Sequence, residues 1–191
     1  MYASQMQSSA PEPSSPLSGQ LLVSHPSLLH DAFRRTVVFL VRHGAGGAFG
    51  TILNRPTTRR LGEVASGFQT PPLGDLPLYQ GGPVGENQLA FCGWNRTPEG
   101  LFHIHFGLSK ERAATAADEH PGIKLRAILG STQWAPGQLE DELRRHAWVV
   151  ARADPHLLME KDGEALWHAF LDKCATPLRF LAAAPDDVQK N

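Results

Sequence analysis

No uninterrupted apolar run in this chain exceeds five residues; Val37–Val41 and Ala147–Ala151 are two examples. A helix that crosses a bilayer needs about 20 apolar residues in succession, so no membrane span is expected. Short β-branched and aromatic runs separated by Gly, Pro and Asn read instead as strands joined by tight turns. The length of 191 residues suits one well-buried core. With 18 glycines, 15 prolines and 41% hydrophobic residues, the chain reads as a compact domain with ordered loops.

Gln20–Val23 forms a short strand that stops at Pro26, and Thr36–Val41 is apolar enough for a central one. The loop His43-Gly44-Ala45-Gly46-Gly47 reverses the chain into a strand from Phe49 to Leu53. Asn54-Arg55-Pro56 ends that strand, since proline has no N–H for the ladder. Leu61–Phe68 is weakly helical, and Leu78-Tyr79-Gln80 leads into the tight turn Gly81-Gly82-Pro83-Val84. Leu89–Cys92 and Leu101–Phe106 make a second strand pair, after which Ser109 caps a helix reaching about Glu119.

Ile123–Leu129 is a further strand. Pro136 opens a helix to about His146, with Glu140–Arg144 and Asp141–Arg145 pairs at four-residue spacing. Trp148–Val150 is a late strand, Asp154 caps a turn at Pro155, and Glu164–Leu171 is a terminal helix burying Leu166, Trp167 and Phe170. Strands in hairpin-like pairs with helices mostly late favour an α+β fold over a regular βαβ alternation. The expected layout is a Pro/Ser-rich disordered tail over residues 1–18, a single domain over 19–175 and a C-terminal tail over 176–191.

Charge and cysteine content exclude several roles. Net charge is −1, from 18 Lys and Arg against 19 Asp and Glu. Phosphate-backbone binding needs a basic face, and the pairs Arg34-Arg35, Arg59-Arg60 and Arg144-Arg145 are scattered along the chain. Nucleic acid is therefore not the expected partner. Two cysteines, Cys92 and Cys174, cannot build a disulfide framework. With no signal-peptide pattern at the N-terminus, a soluble cytoplasmic protein is expected.

No motif completes a catalytic constellation. The glycines after His43 resemble an oxyanion loop, but the G-x-S-x-G elbow such a loop serves is missing from the chain. No phosphate-cradling glycine motif is present either. His103-Ile104-His105 puts two imidazoles on one strand face, where zinc requires three or four ligands, so no metal and no cofactor is expected. The richest segment is Gly130–Glu140, which joins a strand to a helix start where backbone N–H groups lack partners. Trp134 there either offers a flat apolar face to a ligand or packs beneath the helix.

The blocks Leu21-Leu22-Val23-Ser24-His25-Pro26, Phe33-Arg34-Arg35-Thr36-Val37, His43, Gly47-Ala48-Phe49-Gly50 and Asn54-Arg55-Pro56 resemble the bacterial YqgE/AlgH family. The resemblance continues at Gly81-Gly82-Pro83-Val84, at Trp134 with Gly137-Gln138-Leu139-Glu140 and Glu142, and at Trp148 and Trp167, in order from about Gln20 to about Leu171. It implies a mixed, largely antiparallel barrel-like sheet with flanking helices, in a cytosolic bacterial protein. It implies no activity; the family's regulator label comes from an association with alginate control and no recognised DNA-binding motif accompanies it. The chain departs from the family pattern at His30-Asp31, where Asp-Pro is usual, and at Ser131-Thr132-Gln133.

The expected function is a non-enzymatic regulatory or binding domain for a small molecule or protein partner. Its expected site combines His43, Asn54, Gly81, Gly82, Pro83, Trp134, Gly137, Gln138 and Glu140, because polar groups gathered at strand ends are where ligands meet backbone. The alternatives are a transcriptional regulator contacting DNA directly and a hydrolase using Asp31, His43 or Glu140 as a base.

Overall fold

The computed structural model describes residues 17–174. The expected tails therefore lie outside the described residues except for Leu17 and Ser18, which already join the fold. Leu17 packs against the core, and the Ser18 hydroxyl accepts from the His43 backbone N–H at 3.0 Å.

One domain is built on a single curled, mostly antiparallel sheet that forms half a barrel, with five helices among the described residues. Its strands are β1 (Leu21–Ser24), β2 (Val37–Gly44), β3 (Gly47–Ile52), β4 (Pro56–Arg60), β5 (Pro77–Gln80), β6 (Val84–Arg96), β7 (Phe102–Leu108), β8 (Lys124–Trp134) and β9 (Trp148–Ala151). The helices are α1 (Leu61–Val64), α2 (Lys110–Glu119), α3 (Gln138–Arg144), α4 (Pro155–Glu160) and α5 (Gly163–Cys174). The sheet runs β4-β5-β8-β3-β2-β1-β9, and the β6–β7 hairpin attaches along the rest of β8. Among the described residues only the β5–β8 pair is parallel.

The apolar runs are unbroken because the middle strands bury both faces, and short because the strands themselves are short. Leu21 and Val23 of β1 enter one core cluster with Trp94, Trp167 and Phe170, while Leu22 faces a second with Trp134, Leu139 and Trp148. The same alternation sends Val37 one way and Val38 and Leu40 the other. Each such aliphatic side chain contributes roughly 2 kcal/mol of burial. The buried indoles also find acceptors: Trp94 donates to the Leu158 carbonyl at 2.9 Å and Trp167 to that of Ser24 at 2.8 Å. A third cluster seats α1 and α2 against β5, β6 and β8 through Leu61, Leu78, Phe91 and Ala113.

Several boundaries differ from expectation, each for a local reason. His43 and Gly44 belong to β2, so the reversal is made by Ala45-Gly46 alone. Pro56 does not merely end a strand; it begins the edge strand β4, a position where its missing N–H costs nothing. Ser131–Trp134 extend β8, because they pair with Val84 and with Ala48–Gly50. Helix α3 starts at Gln138 with Gly137 in the left-handed region (φ 77°) as its N-cap, two residues beyond Pro136. The expected four-residue ion pairs give way to Arg144–Asp141, while Glu140 turns to His43. Ser109 and Asp154 cap α2 and α4 as expected.

Candidate functional site

The nine expected site residues fall in three places. His43, Trp134, Gly137, Gln138 and Glu140 come together where β2, β8 and α3 meet. The His43 ring reaches Glu140 Oε1 through Nε2 at 2.8 Å. Trp134 ends β8 only 5% exposed, packed against Phe33 and Trp148 at ring separations of 6.4 and 6.0 Å. Its indole N–H donates to Glu142 Oε2 at 2.9 Å, the Trp148 indole donates to the same oxygen at 2.7 Å, and the Gln138 amide donates to Glu142 Oε1 at 2.9 Å. Gln138 Oε1 in turn accepts from the Ala135 backbone N–H at 3.0 Å. The segment that looked richest in donors thus ties itself into a knot around one carboxylate. The two adjacent indoles face inward under the helix.

Gly81, Gly82 and Pro83 join β5 to β6, and here glycine is demanded by packing. A Cβ on Gly81 would strike the Gly130 carbonyl and Ile128 and lie 2.5 Å from Thr51 Oγ1; Gly82 adopts φ 143° against the Ser131 backbone. Asn54, 3% exposed, stitches three segments: Oδ1 accepts from Val37 N at 2.7 Å, and Nδ2 donates to the carbonyls of Arg35 and Gly163, each at 2.9 Å.

A groove runs past these last two groups. A cleft of about 530 Å³ lies over Thr57, Arg59, Val64, Leu78, Tyr79, Gln80, Glu86, Asn87 and Leu129. A second, of about 480 Å³, adjoins it at Thr57 and Gln80 and continues over Arg55, Asn54 and Arg35 to the start of α5. A recess of about 90 Å³ between them is lined by Gln80, Gly82, Pro83, Glu86 and Arg55. Gln80 lines all three. Its side chain, with those of Glu86 and Asn87, makes no hydrogen bond or ion pair within the described residues. Arg35 (φ 53°) is a non-glycine residue in the left-handed region, its carbonyl held by Asn54 and its guanidinium by Glu164 at 2.9 Å. Arg55 donates to the Asp31 and Arg34 carbonyls, and burial, opposed by Asp31, lowers its pKa. Of the scattered arginine pairs, Arg34, Arg35 and Arg59 line the groove, while Arg60 turns to the Asp75 carbonyl.

Beneath the groove lies a buried cation. Arg126, 1% exposed, is sandwiched between the rings of Tyr79 (4.2 Å) and Trp94 (4.6 Å) and donates to the Leu53 carbonyl. Its Nη2 lies 3.2 Å from Asp162 Oδ2 but off the hydrogen-bonding direction, so that contact is Coulombic. The Tyr79 hydroxyl donates to the same carboxylate oxygen, and burial raises its pKa. Burial likewise pushes the neighbouring Cys92 thiol up to about 12, while Cys174 is exposed; both are free thiols. Among the described residues no group of three His, Cys, Asp or Glu side chains is disposed to hold a metal. His105 instead bonds Asn95 at 3.1 Å, and its pKa is lowered by burial and by the nearby His103, His120 and Arg112. No helix of the described residues is long and apolar enough to cross a membrane.

Residues 21–179 match the model of the family described as AlgH-like. The chain belongs to that family. A relative from Streptomyces coelicolor, designated a UPF0301 protein, is 31% identical over 93% of this chain and 96% of its own length. The solution structure of the AlgH protein from Pseudomonas aeruginosa superimposes with a TM-score of 0.63 at 30% identity, covering 91% of this chain and 98% of that one. A Corynebacterium diphtheriae crystal structure shares the fold at a TM-score of 0.70 and 23% identity, over 91% and 95% of the two chains. The AlgH-like relatives bear family designations that name neither substrate nor reaction.

Proposed function

We propose that this family member is a non-enzymatic binding domain with a regulatory role, and that its receptor surface is the groove centred on Gln80. The observation that carries the reading is the unspent hydrogen-bonding capacity of Gln80, Glu86 and Asn87, gathered on one continuous depression. Polar groups left open above an apolar floor of Val64, Leu78 and Leu129 are what a ligand site needs. The left-handed Arg35 at the groove's far end adds a strained residue held in place by Asn54.

The test is a thermal-shift screen of the purified chain against nucleotides, metabolites and size-fractionated bacterial extract. A ligand at 100 times its Kd stabilises a fold by about 2.7 kcal/mol, a readable shift. The shift is expected to vanish in Gln80→Trp, which fills the groove, and to persist in Gln138→Ala. The opposite pattern would move the site to the Trp134 end of the sheet.

A further inference from the structure

Resting on that groove, we infer that its occupant is an extended acidic peptide segment of a partner protein. Shape comes first. The two larger clefts share Thr57 and Gln80 and follow β4, whose five residues are all exposed, so the depression is a trough along a sheet edge and not an enclosed chamber. Extended peptides commonly lie along such edges.

The chemistry agrees. The side-chain amides of Gln80 and Asn87 each present a donor and an acceptor, the complement of a peptide group's C=O and N–H. Val64, Leu78 and Leu129 give a partner side chain an apolar floor.

Charge then selects the peptide. Arg35 and Glu164 are bonded to each other, and Arg34 also lines the groove; Arg55 and Arg59, whose guanidinium groups donate to backbone carbonyls, set two positive charges against Glu86. The irregularity in β4 sets Pro56 and Arg60 opposite Tyr79 and Pro77, two residues apart on β5, so the segment carrying those arginines spans about 7 Å of the sheet edge. Two acidic side chains at alternate positions of an extended partner, on one face and about 7 Å apart, would meet both. Single-stranded nucleic acid fits the groove less well, because it needs exposed aromatic platforms. Tyr79, the aromatic residue of the ≈530 Å³ cleft, is buried against Arg126, and Glu86 would repel phosphates.

The experiment is selection of a phage-displayed random library of peptides, each about twelve residues long, on the full chain, with Gln80→Trp as counter-selection. Enriched sequences are expected to carry Asp or Glu at alternate positions. Synthesised representatives should lose at least roughly tenfold in affinity in both Gln80→Trp and Arg59→Glu. Arg59 is exposed on the edge strand, so that second variant keeps the test decisive if the tryptophan disturbs folding. Enriched peptides without acidic residues would overturn the charge assignment and leave the groove standing. Peptides indifferent to both variants would overturn the groove itself. No enrichment, with an oligothymidylate probe binding wild type and not Gln80→Trp, would replace the peptide by a nucleic acid.

Discussion

The Glu142 knot and the Gln80 groove are built from the same materials, namely side-chain amides, carboxylates and aromatic rings, put to opposite ends. In the knot, one carboxylate accepts from Trp134, Trp148 and Gln138, and the rings close over it. In the groove, Gln80, Asn87 and Glu86 make no side-chain hydrogen bond among the described residues, and the ring of Tyr79 is spent on Arg126. Residue chemistry alone does not mark a binding surface. What distinguishes the two is whether the hydrogen-bonding capacity has already been consumed by the fold.

Four substitutions probe that contrast. The largest effect is expected for Glu142→Ala, which strands two buried indole N–H groups and should cost about 3 kcal/mol in urea unfolding. A loss below about 1 kcal/mol would show that the indoles find other acceptors and that the knot is not closed. Next is Gly81→Ala at the border of the groove, where the added methyl meets the Gly130 carbonyl and Ile128. About 2 kcal/mol of destabilisation is expected from this overpacking; an unchanged midpoint would mean the β5–β8 spacing yields. The smallest effects belong to Gln80→Ala and Asn87→Ala, each within about 0.5 kcal/mol of wild type. A larger loss would mean these amides serve the fold after all, and the contrast would collapse.

The fold was legible wherever local signals decided it. The β2–β3 hairpin follows from β-branched alternation around glycines, and α2 and α4 from the caps Ser109 and Asp154. It was illegible where partners come from far away. Ser131–Gln133 are polar and read as a loop, yet β3 and Val84 draw them into β8. Pro56 reads as a terminator, but the β5 edge recruits it. The groove was hidden for the same reason: Arg55, Gln80 and Glu86 share no motif and converge through the β4–β5, β5–β8 and β6–β8 registers. Asn54 and Trp134 stood out in the sequence as site candidates, and in the structure their polar groups bond within the chain. The hint that sequence did carry was the set of arginine pairs, two of which supply groove residues.

Strand β1 takes one neighbour, β2, from the next twenty residues and the other, β9, from beyond residue 147. Asn54 similarly waits for the Gly163 carbonyl. A ribosome delivers the chain from its N-terminus, so Leu21–Ser24 emerges as an open strand edge that only the late Trp148–Ala151 segment can cover. At cellular elongation speeds of about 5–20 residues per second, that edge stays bare for on the order of ten seconds. The newborn protein is thus most vulnerable to mispairing at its first strand, and its last third acts as the clasp that ends the exposure.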